Sequence, residues 1–530
     1  MAAANGNPSK NRLPMTSREF TKLLNGPQMR RSVGLVILLV AAGMFSLPGC
    51  REAAHVDSTG ESVTTETPAT TTARLESATT ADEPAVSAPP TPRSVAVVEV
   101  AQQVDREPGT ATPAEPEATP SEAQLARHGL RRLDGRHLTL ITDLPQLATI
   151  DELPAVFDKA VAHWSQYFDI DSRRLAGWRV TACLMKEESP FRATGLLPSE
   201  MPAFENGYAT RRRIWLFEQA SDYYRRHLLL HEGTHSFMYE MFGTCGPSWY
   251  MEGVAELLAT HRWKPGALRL GVYPERRQDF PLLGRIRMVQ DEVTAGRMLT
   301  IDEILRYDGE AFLSQLPYGW SWALCSWLEN HPRYRQRFGK LRRALNSDSA
   351  DDATPADLND LLLRLTKDDR KQLNLEWTFF CREIDQGHDF ARAAVDFRPA
   401  RSLDGRRATV EVAADRGWQS SGLRVAAGQA YRLTATGRYQ VAQDPQIWWC
   451  EPDGVTLEYH RGRPLGQLMV TIVAEDRARP AVHEPLAVGS QRTWQPAVSG
   501  VAYFRINESS AKLADNAGNL TVTMFAAADN

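Results

Sequence analysis

The stretch from Ser221 to Thr260 reads SDYYRRHLLLHEGTHSFMYEMFGTCGPSWYMEGVAELLAT, and its spacing decides the centre of the fold. Residues four apart on a helix share a face. His231 and His235, in His231-Glu232-Gly233-Thr234-His235, can therefore reach one metal ion, and Glu232 can enter the same cleft as a general base. Two imidazoles leave a tetrahedral zinc short of a third protein ligand. Glu252 and Glu256, one helical turn apart, can both face the first helix and supply it. Ser221 is a fitting N-cap, Asp222 suits the first turn, and Gly243 is a fitting stop. Tyr224, Leu228, His231, His235, Met238 and Phe242 follow the 3–4 spacing of a core-facing stripe. Pro247-Ser248 opens the second helix. An H-E-x-x-H alone also occurs in ordinary helices with satisfied histidines. The Glu-Gly-x-Ala-Glu that follows on a second apolar helix is what favours a metal site here.

These residues resemble the gluzincin metallopeptidases, the superfamily of thermolysin and the zinc aminopeptidases. In the aminopeptidase-like branch, a tryptophan-containing segment ending in Glu-Gly-x-Ala supplies the third zinc ligand, and Glu252 is the matching residue. The resemblance implies Zn2+ on His231, His235 and Glu252, with Glu232 as base and a peptide or protein as substrate. Glu256 is then expected to accept from a ligand's other ring nitrogen; Glu256 as the third ligand is the alternative. Many such enzymes place a tyrosine or histidine downstream to stabilise an oxyanion. Tyr318 is the best-placed candidate, its other reading being a ring that packs at the mouth of an aromatic helix.

The chain has 530 residues, 42% hydrophobic and 24% charged, enough for more than one domain. Residues 1–50 carry +5 and residues 51–125 carry −9 against a net charge of −4, so the rest is balanced. No basic folded domain offers a nucleic-acid footprint. Residues 29–50, MRRSVGLVILLVAAGMFSLPGC, read as an export signal too short to span a bilayer. Leu47-Pro48-Gly49-Cys50 resembles the lipobox of bacterial lipoproteins, which implies acylation of Cys50 and a lipid anchor in the cell envelope. Residues 51–125, rich in Thr, Ala, Glu, Pro and Ser, read as a disordered linker.

The expected fold class is α+β: a gluzincin-like domain of mixed sheet and helices over 126–400, then an all-β sandwich over 401–530. Order is expected from near Arg131. The pattern predicts strands at His137–Asp143, Trp178–Met185 and Arg213–Glu218, and a helix over Leu153–Phe168. Gluzincins often use the last strand before the motif as a sheet edge that pairs with extended peptide, which would make Arg213–Glu218 that edge. A plain structural strand is the equal alternative. Helices follow Trp263 and end near Phe397. His261, His331 and His388 have no partner spacing and read as structural.

From about Arg401, period-two runs bounded by glycine predict a sandwich: 422–437, 468–473, 500–506 and 520–524. The segment from Phe504 to Leu520 resembles the calcium-dependent galactose-binding bacterial lectins. Asn507-Glu508 and Asp515-Asn516 stand where those lectins bind calcium and sugar, so a glycan is a further partner the resemblance implies. Lys512 stands where they use a threonine ligand, and its ammonium competes with a cation. With Cys50 acylated, Cys183, Cys245, Cys325, Cys381 and Cys450 are left, an odd number with no C-x-x-C, for which buried apolar packing is the expectation. The function this adds up to is a surface-anchored zinc metallopeptidase. The rival is a non-catalytic envelope or carbohydrate-binding lipoprotein that keeps a peptidase fold as scaffold.

Overall fold

A computed structural model describes residues 120–345, 355–403, 407–474 and 481–526. All lie in one compact unit; Cys50 and the export segment lie outside the described residues. The class is α+β, with helices in the middle and a strand-rich C-terminal region. Order begins before Arg131. Ser121 caps a helix α1 (Glu122–Arg127) in a capping box with Gln124, and Leu125 is buried. One buried leucine and a reciprocal cap hold this turn where composition alone predicts linker.

Five strands form the first sheet: β1 (Arg131–Asp134), β2 (Leu138–Thr142), β3 (Val180–Met185), β4 (Gly207–Ala209) and β5 (Arg213–Phe217), in the order β1-β2-β3-β5-β4. β2, β3 and β5 are parallel to one another. Every residue of β2 is buried, as a central strand covered on both faces requires. β5 is not the edge. It is hydrogen-bonded to β3 on one side and to antiparallel β4 on the other, so among the described strands Gly207–Ala209 is the edge on that side and β1 the edge on the other. The helix α2 (Leu153–Phe168) buries Val156, Phe157, Ala160, Trp164 and Phe168 against this sheet and the next helix.

That helix, α3 (Asp222–Phe242), begins where Ser221 Oγ accepts from the Tyr224 N–H at 3.1 Å and ends at Gly243 with φ +74°. It packs on α4 (Ser248–Ala259). A hairpin unforeseen in the sequence follows, β6 (His261–Lys264) and β7 (Ala267–Leu270). Then come α5 (Arg285–Thr294), α6 (Gln315–Asn330), α7 (Arg335–Leu345), α8 (Pro355–Leu365) and α9 (Arg370–Glu383). α6 lies so close to α4 that a Cβ on Gly253 would meet Cys325 Sγ at 2.5 Å and the Ser321 carbonyl oxygen at 2.6 Å. The glycine beside Glu252 is what lets the two helices touch. None of the described helices is long and apolar enough to cross a membrane.

The C-terminal region is two sheets around one core. Its main strands, in chain order, are β8 (Arg407–Ala413), β9 (Gln419–Val425), β10 (Tyr431–Thr436), the hairpin of β11 (Val455–His460) and β12 (Arg463–Leu465), β13 (Leu468–Ala474), β14 (Gly500–Ile506) and β15 (Asn519–Ala526). β9, β13 and β14 lead one sheet; β8, β10 and β15 lead the other. Leu468, Val470, Phe504 and Ile506 of the first sheet and Val410, Val412, Leu433 and Val522 of the second share a buried cluster, the arrangement of a sandwich. The run 422–437 divides into β9 and β10 because Gly428, with φ +77°, turns the chain. On the outer face of the first sheet Trp418, Met469, Val501 and Tyr503 pack against Leu375 and Phe379 of α9, joining helices to sandwich. Among the described residues the cysteines, Cys183, Cys245, Cys325, Cys381 and Cys450, are free and buried.

Candidate metal centre

Local helix geometry places the first two donors. His231 and His235, one turn apart on α3, turn Nε2 toward Nε2 at 3.0 Å. α4 supplies the third: Glu252 Oε2 lies 3.1 Å from His231 Nε2 and 3.4 Å from His235 Nε2. All three side chains are buried, with relative exposures of 6–7%. A tetrahedral zinc with bonds of about 2.0–2.1 Å separates its donors by about 3.3–3.4 Å, so the three atoms have the spacing such an ion needs. Two buried imidazole nitrogens facing each other beside one carboxylate oxygen form a group that could hold a metal ion.

Charge gives a second test of fit. Burial opposes charge on His231, yet the hydrogen bonds and charges of Glu252 and Glu256 outweigh it and push its pKa up. Burial likewise opposes ionisation of Glu252, but His235 and His231 pull it down. With the imidazoles neutral, as metal ligation requires, and all three carboxylates ionised, Glu232, Glu252 and Glu256 against Arg285 sum to −2, which a divalent cation would cancel. The residues fit a metal ion; the His and carboxylate donors suit zinc among several divalent ions.

Glu256 stands behind the triangle. Its Oε1 lies 3.4 Å from His231 Nδ1, an ion-pair contact rather than an aligned hydrogen bond. Its Oε2 lies 3.3 Å from His227 Nε2. Arg285 of α5 grips the same carboxylate with two bonds, Nε–Oε2 at 2.9 Å and Nη2–Oε1 at 2.8 Å. Burial opposes ionisation of Glu256, but Arg285 and His227 hold its pKa well below the usual range. His227, His231 and Glu256 form a second group with metal-ligand spacing. Arg285 takes both oxygens of the Glu256 carboxylate in this second group.

Glu232 points the other way, toward β4, with Gly207 against its carboxylate. Burial raises its pKa, and the charges of His231 and His235 restrain the rise. The Tyr318 ring of α6 lies 6.1 Å from that of His231, with the Arg285 guanidinium 5.7 Å from its centre. His231, His235 and Glu252 are thus brought together, with Glu256 and the Tyr318 ring near His231 and the Glu232 carboxylate turned toward β4. Sequence reasoning misses His227, Arg285 and Gly207. His227 has a signal, since it precedes His231 by four; the other two have no local one.

The three histidines read as structural have partners within the fold. His261 bonds the Ala259 carbonyl at 2.8 Å, His331 faces Glu376 at 3.2 Å, and His388 meets Ser510 at 2.8 Å. In the lectin-like segment, the Asn507 side-chain NH2 donates to the carbonyls of His460, Arg463 and Pro464, so that NH2 group is engaged inside the fold. Lys512 Nζ pairs with Glu458 Oε1 at 2.6 Å. Glu508 Oε2, Asp515 Oδ1 and Asn516 Oδ1 are buried without a hydrogen-bond partner among the described residues.

No family model and no curated protein matches the chain. Among solved structures it is similar to the EclA N-terminal domain, described as a PllA-like lectin, at 17% identity and a TM-score of 0.18, over 22% of this chain and 95% of that one. It is also similar to IMPa from Pseudomonas aeruginosa in complex with an O-glycopeptide, at 10% identity and a TM-score of 0.15, over 75% of this chain and 43% of that one. The chain thus spans less than half the length of the IMPa chain it matches.

Proposed function

We propose that the chain is a zinc-dependent metallopeptidase of the gluzincin kind, held at the cell envelope through Cys50, with an accessory sandwich. The observation that carries this is the buried triangle of His231, His235 and Glu252 with a separate carboxylate, Glu232, beside it. A bare structural metal site has no use for that fourth group. His231, His235 and Glu252 would hold the ion, which when bound supplies Lewis acidity toward a carbonyl and toward water. Glu232 takes the proton of the attacking water on its carboxylate and passes it to the leaving amine. The Tyr318 hydroxyl donates to the oxygen that gains charge. Glu256, gripped by Arg285, keeps His231 turned with Nε2 toward the ion. The free edge of β4, beside Glu232, offers backbone groups to an extended peptide.

The three carboxylates should separate on substitution. Glu232→Gln is expected to retain about one zinc per chain and to lose activity by at least ~100-fold. Glu252→Ala should lose metal and activity together. Glu256→Ala should lose about 10- to 100-fold in affinity or activity. Emission spectrometry of dialysed protein, alongside digestion of a broad peptide library, reads both quantities. If Glu256→Ala strips zinc while Glu252→Ala keeps it, the ligand assignment is exchanged. Wild-type protein without zinc overturns the peptidase reading.

A further inference from the structure

A cleft of about 740 Å³ opens where α5 and α9 meet the sandwich. Its size falls in the range of small-ligand sites, and domain junctions are a common place for them. Four arginines reach its wall: Arg382 near the end of α9, Arg461 and Arg463 from the hairpin of β11 and β12, and Arg505 of β14. Arg505 is fully engaged. It pairs with Glu383 at 2.9 Å and donates to the carbonyls of Ile506 and Glu508. Arg461 takes the other oxygen of Glu383 at 3.4 Å and donates to the Arg382 carbonyl at 2.6 Å.

Arg382 and Arg463 differ from these two. Arg382 makes one long contact, to the His483 carbonyl at 3.4 Å, and Arg463 makes one, to the Pro485 carbonyl at 3.2 Å. Among the described residues neither guanidinium has a carboxylate in ion-pair contact. Each offers five N–H donors and uses one. Burial pulls the Arg382 pKa down, and the more distant charges of Glu484 and Glu383 oppose this. Of the acidic groups that face the cleft, Asp291 is paired with Arg287, Glu383 is shared by Arg505 and Arg461, and Glu484 is exposed. His460 adds no charge near neutral pH, because burial, Arg461 and Arg505 press its pKa down to about 4. Val482 and Met469 provide an apolar patch in the same wall.

We propose that this cleft binds a small anionic ligand, with the N–H groups of Arg382 and Arg463 taking its carboxylate or phosphate. A guanidinium matches the two oxygens of either group with parallel hydrogen bonds, and such charge-assisted pairs are the strong ones. The apolar patch accommodates the body of the ligand, which neutral sugars would share without the anchoring bonds. The site is remote in composition from the metal centre: none of its lining residues belongs to the His231 cluster.

Titration calorimetry of the full chain with glucuronate, glucose and inorganic phosphate tests this. Saturable binding of glucuronate or phosphate is expected, with glucose weaker by about tenfold or more. The tighter of the two anions identifies the oxyanion source. Arg382→Gln and Arg463→Gln should each weaken that anion roughly tenfold or more, with the thermal transition retained. Arg463 lies on a two-stranded hairpin outside both main sheets, so its variant gives the reading should Arg382→Gln fail to fold. Glucose binding as tightly as the anions, binding that survives both substitutions, or no saturable binding of either anion overturns the proposal.

Discussion

Gly207 and Glu232 touch: a Cβ at position 207 would stand 2.6 Å from Glu232 Oε1 and 2.9 Å from its Cγ. The edge strand therefore runs directly past the proposed base, and only a residue without a side chain leaves that carboxylate its place. Gly207→Ala should push Glu232 aside without touching the three donors. The expected result is full zinc content and a turnover lower by about tenfold or more, since a displacement near 1 Å can reach ~100-fold. Unchanged turnover in a metal-replete Gly207→Ala protein would show that Glu232 has room to move or has no part in the reaction.

The pair Arg285–Glu256 makes a prediction about stability. Both side chains are buried, at 8% and 3% exposure, and Arg285 holds both carboxylate oxygens. Removing one partner strands a buried charge. Arg285→Met should lower stability by about 3–5 kcal/mol, and Arg285→Met combined with Glu256→Gln should recover much of it. Urea unfolding of the metal-free protein measures both. A double variant no more stable than Arg285→Met would mean that packing of the arginine stem, not the charge pair, carries the effect.

The contrast between these residues shows what a chain of amino acids reveals by itself. The cap at Ser221, the stop at Gly243 and the His231–His235 turn of α3 are short-range relations along one helix, so the sequence carries them openly. Tyr318 can be placed because it lies near the start of a strongly aromatic helix that follows the metal helices. Strand order is not periodic. β4 is three residues long and gives no alternation to read, so the pattern points to the longer Arg213–Phe217 as the edge, yet that strand lies inside the sheet. Arg285 stands 29 residues after Glu256, and the packing of α5 on α6 and α9 brings it back. His227 is visible at i−4 from His231, but its apolar neighbours, Leu228 to Leu230, give that turn the look of core.

Lys512 sets an expectation for the sandwich. Its ammonium pairs with Glu458, and its charge also acts on Glu508 and Asp515. Beside it the buried oxygens of Glu508, Asp515 and Asn516 go without donors among the described residues. Wild-type protein should show no calcium-dependent rise in melting temperature. Lys512→Thr removes the competing cation and adds an oxygen, so millimolar calcium should stabilise that variant reversibly with chelator, as a ligand of the folded state does. A calcium response in the wild type, or none in the variant, would mean that the lysine does not govern this site.

Glu508 makes the stability of the sandwich depend on pH. It is 1% exposed, and Oε2 has no partner among the described residues. Burial pushes its carboxyl up to about 7, against the Ser509 N–H and the charges of Lys512 and Arg505, which pull it down. The folded state therefore favours the protonated acid more than the unfolded chain does, where the value is near 4.5. Its contribution to stability is fully present below that unfolded value and is lost as pH rises through the folded one. Glu508→Gln keeps the shape and cannot ionise. The melting temperature of Glu508→Gln relative to wild type should therefore increase between about pH 4.5 and about pH 8, with the steepest change about midway between the unfolded and folded values. Metal-free protein should be used, so that release of an ion at low pH does not overlay the titration. A difference between variant and wild type that stays flat across this window would mean that the carboxylate finds a cation or water when it ionises, and that the orphaned oxygen is satisfied in solution.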